Sequence, residues 1–275
     1  MHSKESPTLL FYVYCFYERC YNIGRGEERR RKMDFISKFF KEGFEHGDYS
    51  YGLTHLLSIF FVIASIVLFC YCFRNKSEKY ILGKMKIIAF VCLPIYFLRR
   101  IIGYDGSTSL IEHFWPFYLC NINTIFLSLS IIFNVRRGRD FFVVTGLIGG
   151  IFTFLIPDGI FTDRYLTFSI LDSIMSHYVI VVIPAVLLLT RTHVLHYRNI
   201  HQVFIGLLIV VFNAEVLQKV LFNKNFDYLF FDSDIPFTIT GVPQFIIISS
   251  LAIVLILLIY HLDQVFVKRR LAYKG

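Results

Sequence analysis

Charge is scarce in this sequence. Only 17% of its 275 residues are Asp, Glu, Lys or Arg, 56% are hydrophobic, and the mean hydropathy is +0.59. A soluble domain with a polar surface does not reach such values, so the composition predicts a polytopic membrane protein. Tryptophan occurs once, at Trp115, although Phe (31) and Tyr (17) are abundant, so aromatic residues fill helices rather than mark a Trp belt at the interface. The six cysteines (Cys15, Cys20, Cys70, Cys72, Cys92 and Cys120) show no paired loop spacing, which argues against a disulfide framework or a zinc site. His193, His196 and His201 come nearest to a metal pattern, but no Cys or carboxylate joins them, and they read as a solvated interfacial loop. No metal or cofactor is expected. Pro- or Gly-rich linkers and internal repeats are also missing, so one transmembrane domain is expected. The formal charge of +8 sits mainly in short loops between apolar spans, where it sets orientation rather than binding nucleic acid.

What is present is a series of apolar runs of roughly 20 residues, the length that crosses a hydrocarbon core of about 30 Å. They lie near 51–73, 84–102, 114–135, 141–157, 170–190, 202–222 and 243–263, and predict an all-α bundle of seven transmembrane helices. One set of loops and the C-terminal tail carry Arg74, Lys76, Lys79, Lys84, Lys86, Arg136, Arg137, Arg139, Arg191, Arg198, Lys268, Arg269, Arg270 and Lys274. The alternate loops carry only Arg164 and Lys224. This asymmetry predicts an N-terminus outside and a C-terminus in the cytoplasm of a multi-pass protein of the cell membrane. Residues 1–45 form an N-terminal segment, upstream of a possible start at Met33 or disordered, 46–265 the transmembrane domain, and 266–275 a basic tail.

His177 is the costly residue in this pattern, because an ionisable group inside an apolar span is a functional-site hypothesis by default. Counting about 1.5 Å per residue from the expected outer ends puts His177, Cys120 and Glu215 at one depth, about 10 Å below the outer boundary. His55, Arg99, Arg100, Asn121, Asn123, Asp172, Asn213 and Gln218 join the same outer half, while the inner half reads as hydrocarbon. Charges at such depth must face the bundle interior or a wet cavity, which predicts a polar pocket open to the outer leaflet. Each residue also has a structural reading: Cys120 as a small buried hydrophobe, His177 and the asparagines as interhelical hydrogen-bond formers, Glu215 with an arginine as an ion pair. Together, a thiol and an imidazole on different helices are the parts of a nucleophile and its general base. Arg99 or Arg100 would hold a lipid phosphate, with Asn123, Asn213, Glu215 and Gln218 lining the substrate pocket.

Three segments carry a family resemblance that loosely covers residues 45–265. They are Trp115-Pro116-Phe117-Tyr118-Leu119-Cys120-Asn121, then Met175-Ser176-His177-Tyr178-Val179-Ile180-Val181-Val182-Ile183-Pro184, then Asn213 with Asn225-Phe226-Asp227-Tyr228-Leu229-Phe230-Phe231. The chain resembles the YwaF-like bacterial integral membrane proteins, whose distant eukaryotic relatives include a Cys/His transmembrane acyltransferase of ether phospholipid synthesis. The resemblance implies that His177 stands where the acyltransferase has its catalytic histidine. The position directly after the proline, where the resemblance implies the nucleophile, is Phe117, and Cys120 lies nearly one helical turn further on. The expected function is acyl transfer through a cysteine thioester, with a membrane phospholipid or its acyl chain as substrate. The alternative is a transporter or sensor that binds a small anionic or lipid ligand in the same pocket; a receptor rests on helix number alone.

Overall fold

The computed structural model describes residues 27–157, 159–224, 226–229 and 242–272. All of its regular structure is helical among the described residues, apart from one isolated antiparallel bridge between His46 and Asp163. In chain order the helices are α1 (Glu27–Ser37), α2 (Leu53–Phe73), α3 (Glu78–Gly103), α4 (Leu110–Phe114), α5 (Leu119–Ile132), α6 (Arg139–Leu155), α7 (Phe168–Leu189), α8 (Ile200–Val211), α9 (Gln218–Phe222) and α10 (Gln244–Ala272). A π turn, Lys38–Glu42, follows α1, and a second, Phe212–Leu217, joins α8 to α9 without a break.

Among the described residues, five helical segments are long and apolar enough to cross a membrane: Leu53–Phe73, Glu78–Gly103, Phe168–Leu189, Tyr197–Phe222 and Gln244–Phe266. The seven apolar runs all fall on this bundle, but the third is interrupted. Trp115 precedes Pro116 and is therefore held extended (φ −68°, ψ 129°), so the run divides into the short α4 and the 14-residue α5. Side-chain caps mark other starts: Ser77 accepts from Tyr80 N–H ahead of α3, and Thr167 from Ile170 N–H ahead of α7.

Helix α7 is the axis of the fold. It packs against α2, α3, α5 and α6, and 61% of its apolar window is buried, against 11% for α10. Close approach to α6 is made possible by glycine: a Cβ on Gly146 would lie 2.9 Å from the Ile180 carbonyl oxygen, and one on Gly150 2.4 Å from Val181 Cγ2. In a bilayer, where lipid tails are as apolar as side chains, such small residues let helices gain van der Waals contact.

At the end where α2 and α7 begin, residues 43–49 lie along the 161–165 loop. Asp163 organises this contact by accepting from the N–H groups of Phe44, Glu45 and Tyr165 (2.5, 2.8 and 2.8 Å). His55 is fully buried beside it: Tyr51 N–H donates to its Nδ1 (2.9 Å), so Nε2 carries the proton and donates to Phe154 O (2.8 Å). His55 thus ties α2 to the end of α6.

The opposite end carries a polar network where pure hydrocarbon is expected. His193 Nε2 meets Asp140 Oδ1 (2.8 Å), Tyr260 donates to Asp140 Oδ2 (3.4 Å), Arg191 pairs with Asp263, and Leu195 N–H donates to Asp263 Oδ2 (3.0 Å). Arg139 is also buried, donating to Ser130 O (3.0 Å). His193 is therefore a half-buried partner of Asp140 rather than part of a solvated loop, because the 190–199 segment folds back against α6 and α10.

Candidate functional site

Cys120 occupies the first turn of α5, directly after the Pro116 break. The cysteine is half-buried, with Sγ 3.9 Å from Asn121 Oδ1, and the backbone N–H groups of Cys120 and Asn121 lie in the first turn of α5. Those amides belong to a helix N-terminus, where no intrahelical acceptor uses them and an anionic group is favoured.

Around the thiol stand residues from two other helices. Arg100 and Asp172 lie within electrostatic reach of it, and Tyr96, one turn before Arg100 on α3, lies under the Arg100 guanidinium (4.8 Å to the ring centroid). Arg100 is oriented by the α4 turn: its Nη1 donates to His113 O (2.6 Å) while His113 Nε2–H donates to Arg100 O (2.8 Å). Arg99 donates to Ser169 Oγ (3.1 Å) at the start of α7. Asp172 sits near both arginines, yet its Oδ1 is buried without a hydrogen-bond partner among the described residues. An acceptor left over inside a membrane helix is costly, which marks Asp172 as a group with work outside the fold.

His177 is elsewhere on α7. Its Nδ1 donates to Ser173 O (2.7 Å), and since a carbonyl can only accept, Nε2 of the neutral ring keeps the lone pair. The ring meets Phe154 edge-on (6.3 Å between centroids) and lines a small crevice with Thr153, Phe154, Ile160, Phe161, Ser173 and Ile174. No hydrogen bond joins Cys120 to His177 among the described residues.

The expected equal depth of these two is overturned. Thr124 Oγ1 donates to Ser176 O (3.5 Å), which sets Thr124 level with Ser176 and, four residues earlier on each helix, Cys120 level with Asp172. His177 stands five residues beyond that level, about 7.5 Å along the helix. The third run is not one helix: it is non-helical between Phe114 and Leu119, so a uniform rise counted from residue 114 does not give the depth of Cys120.

The other expected pocket residues are engaged within the protein. Asn123 is fully buried and accepts from Thr145 Oγ1 (3.1 Å), tying α5 to α6, with its Nδ2 unpartnered among the described residues. Asn213 Oδ1 accepts from Trp115 Nε1 (2.7 Å), and its Nδ2 donates to Pro116 O (3.0 Å). Gln218 grips the backbone of Phe226 through both amide atoms (2.7 and 3.0 Å). Glu215 pairs with Lys219 (3.5 Å) rather than with an arginine. Tyr96 is the member of the cluster that the expected pocket left out, and Asp172 the one it included without a role. The signal for Tyr96 was its four-residue spacing to Arg100; that for Asp172 was an unpaired acid in the first turns of an apolar span.

No curated protein and no solved structure matches the chain. The model of the TMEM164 family matches residues 50–262, from the residues before α2 into α10, and so covers all of the helices that build the cluster. The chain is a membrane protein that belongs to the TMEM164 family.

Proposed function

We propose that this protein is a lipid-modifying enzyme that transfers an acyl chain through a thioester on Cys120, at a site formed by the starts of α5 and α7 and the end of α3. The observation that carries it is the Cys120 level itself: a half-buried thiol at a helix N-terminus, within electrostatic reach of Arg100 and of Asp172, a carboxylate with a spare acceptor that lies near both Arg99 and Arg100. The resemblance to the YwaF-like proteins and their Cys/His acyltransferase relatives supports the same chemistry. In this reading Arg99 and Arg100 hold the lipid phosphate. The Cys120 sulfur attacks the ester carbonyl, its proton passing to Asp172, and the C–O bond breaks to leave a thioacyl-enzyme and a lysolipid alkoxide, which takes the proton back. The developing oxyanion faces the amides at the start of α5. An acceptor hydroxyl then attacks the thioester, with His177 Nε2 taking its proton, and as the C–S bond breaks the Cys120 thiolate regains a proton from the imidazolium by way of water.

With the purified protein in nanodiscs and a phospholipid carrying a labelled acyl chain, label is expected on Cys120 and to be released by hydroxylamine. Cys120→Ala should carry none and transfer none. Full transfer by folded Cys120→Ala sinks the mechanism. The lack of a Cys120–His177 hydrogen bond favours a second reading, a binding protein for an anionic or lipid ligand; saturable phospholipid binding without any acyl-enzyme would establish it.

Seven spans belong to the same proposal, with α5 and α6 completing the five longer helices and the N-terminus outside. Helix α5, about 21 Å long, is short for a 30 Å core, and α4 with Trp115–Tyr118 supplies the remaining depth. Reporters fused after Gly275 and in the 133–138 loop should both read cytoplasmic; an external reading at either overturns this orientation.

A further inference from the structure

The segment that delivers Cys120 has almost no helical hydrogen bonding of its own. Trp115 and Tyr118 are extended, Phe117 N–H turns back onto Trp115 O (3.1 Å), and Pro116 contributes no N–H. What fixes it comes from the far side of the site. Asn213 takes the Trp115 indole N–H and donates to the Pro116 carbonyl, so one amide engages two consecutive residues. Beside it, Phe117 stacks on Tyr228 (4.7 Å, 10° between planes) and meets Phe222 edge-on (5.4 Å).

The π turn explains how one stretch of helix makes these contacts. Residues five apart diverge around an α-helix of 3.6 residues per turn, whereas i→i+5 bonding brings them back toward one side. Asn213 and Gln218 are five apart, both buried, and turned to two segments that pack on each other: Asn213 to Trp115 and Pro116, Gln218 to Phe226, two residues before the Tyr228 that supports Phe117. Such π segments are frequent at functional sites, and this one spends its distortion on an amide that a lipid-facing helix has no other reason to bury.

We propose that Asn213 is the positioning residue of the Cys120 site: the π turn of α8 presents its amide to Trp115-Pro116, which fixes where α5 begins and where the thiol stands. The proposal deepens the acyl-transfer reading and rests on it for its consequence in turnover, but its geometry is testable without turnover. Trp115 is the one tryptophan in the chain, so intrinsic emission reports directly on the Asn213 contact.

Asn213→Ala should shift Trp115 emission and change the alkylation rate of Cys120, followed by peptide mass spectrometry, by about 30-fold, the equivalent of two lost hydrogen bonds. Asn213→Asp, which keeps the acceptor for Trp115 and loses the donor to Pro116, should fall between the two. Lys219→Ala, in the next turn and exposed, should leave both readouts at wild type. In the acyl-transfer assay kcat should fall while KM for the donor lipid holds. Should Asn213→Ala fail to fold, Trp115→Phe removes the same indole N–H and must by itself alter Cys120 alkylation. Wild-type alkylation in a folded Asn213→Ala, or in Trp115→Phe, overturns the proposal. An active Cys120→Ala with alkylation still dependent on Asn213 would overturn the chemistry and leave the positioning intact.

Discussion

Asp263→Ala is expected to remove about 3–5 kcal/mol of stability, the usual consequence of deleting one partner of a buried ion pair. Asp263 is 5% exposed and serves two donors at once, Arg191 and Leu195 N–H, and the adjacent Gln264 holds Leu195 O (2.5 Å). Removing the carboxylate leaves a guanidinium of low exposure and a buried N–H without acceptors. Asp263→Asn keeps one oxygen for Leu195 N–H and should lose less. The measurement is the melting midpoint of the detergent-solubilised protein; a midpoint for Asp263→Ala within error of wild type would show that Arg191 finds another partner. Because the network ties the 190–199 segment to α10, proteolysis in that segment should rise along with the loss.

The same network shows where sequence reasoning stops. Hydropathy placed the spans well: the run at 51–73 became Leu53–Phe73, that at 170–190 became Phe168–Leu189, and that at 202–222 is all but the first turn of Tyr197–Phe222. Apolar length is a local property, set by residues within one turn or two. Depth is not local. Counting into the third run missed because the residue before Pro116 is held out of the α region, so a uniform helical rise does not hold between Phe114 and Leu119. Asp140 and His193 are 53 positions apart, Arg191 and Asp263 are 72 apart, and no periodicity links either pair before the helices pack. Asn213 was legible as a polar residue in an apolar helix; its partner was not, since it is a backbone carbonyl and an indole N–H nearly a hundred positions away.

His177→Ala is expected to slow acyl transfer about 10²–10⁴-fold, the range for loss of a general base. Where the loss falls matters more than its size. With Asp172 level with the thiol and His177 about 7.5 Å further along the helix, the two serve different half-reactions. Formation of the acyl-enzyme should survive in His177→Ala, so labelled Cys120 accumulates with near-normal burst amplitude while transfer to the acceptor stalls. Asp172→Asn should do the reverse, slowing the burst and leaving breakdown of preformed thioester close to wild type. His177→Gln is the discriminating companion, since it retains a polar side chain in the crevice with Phe154 and Ile174 but has no basic nitrogen. If the burst itself disappears in both His177 variants with the protein folded, the imidazole acts on the thiol, and α5 and α7 must then slide by about one turn to bring Cys120 and His177 together. Rapid-quench measurement of Cys120 labelling in all three variants separates these outcomes.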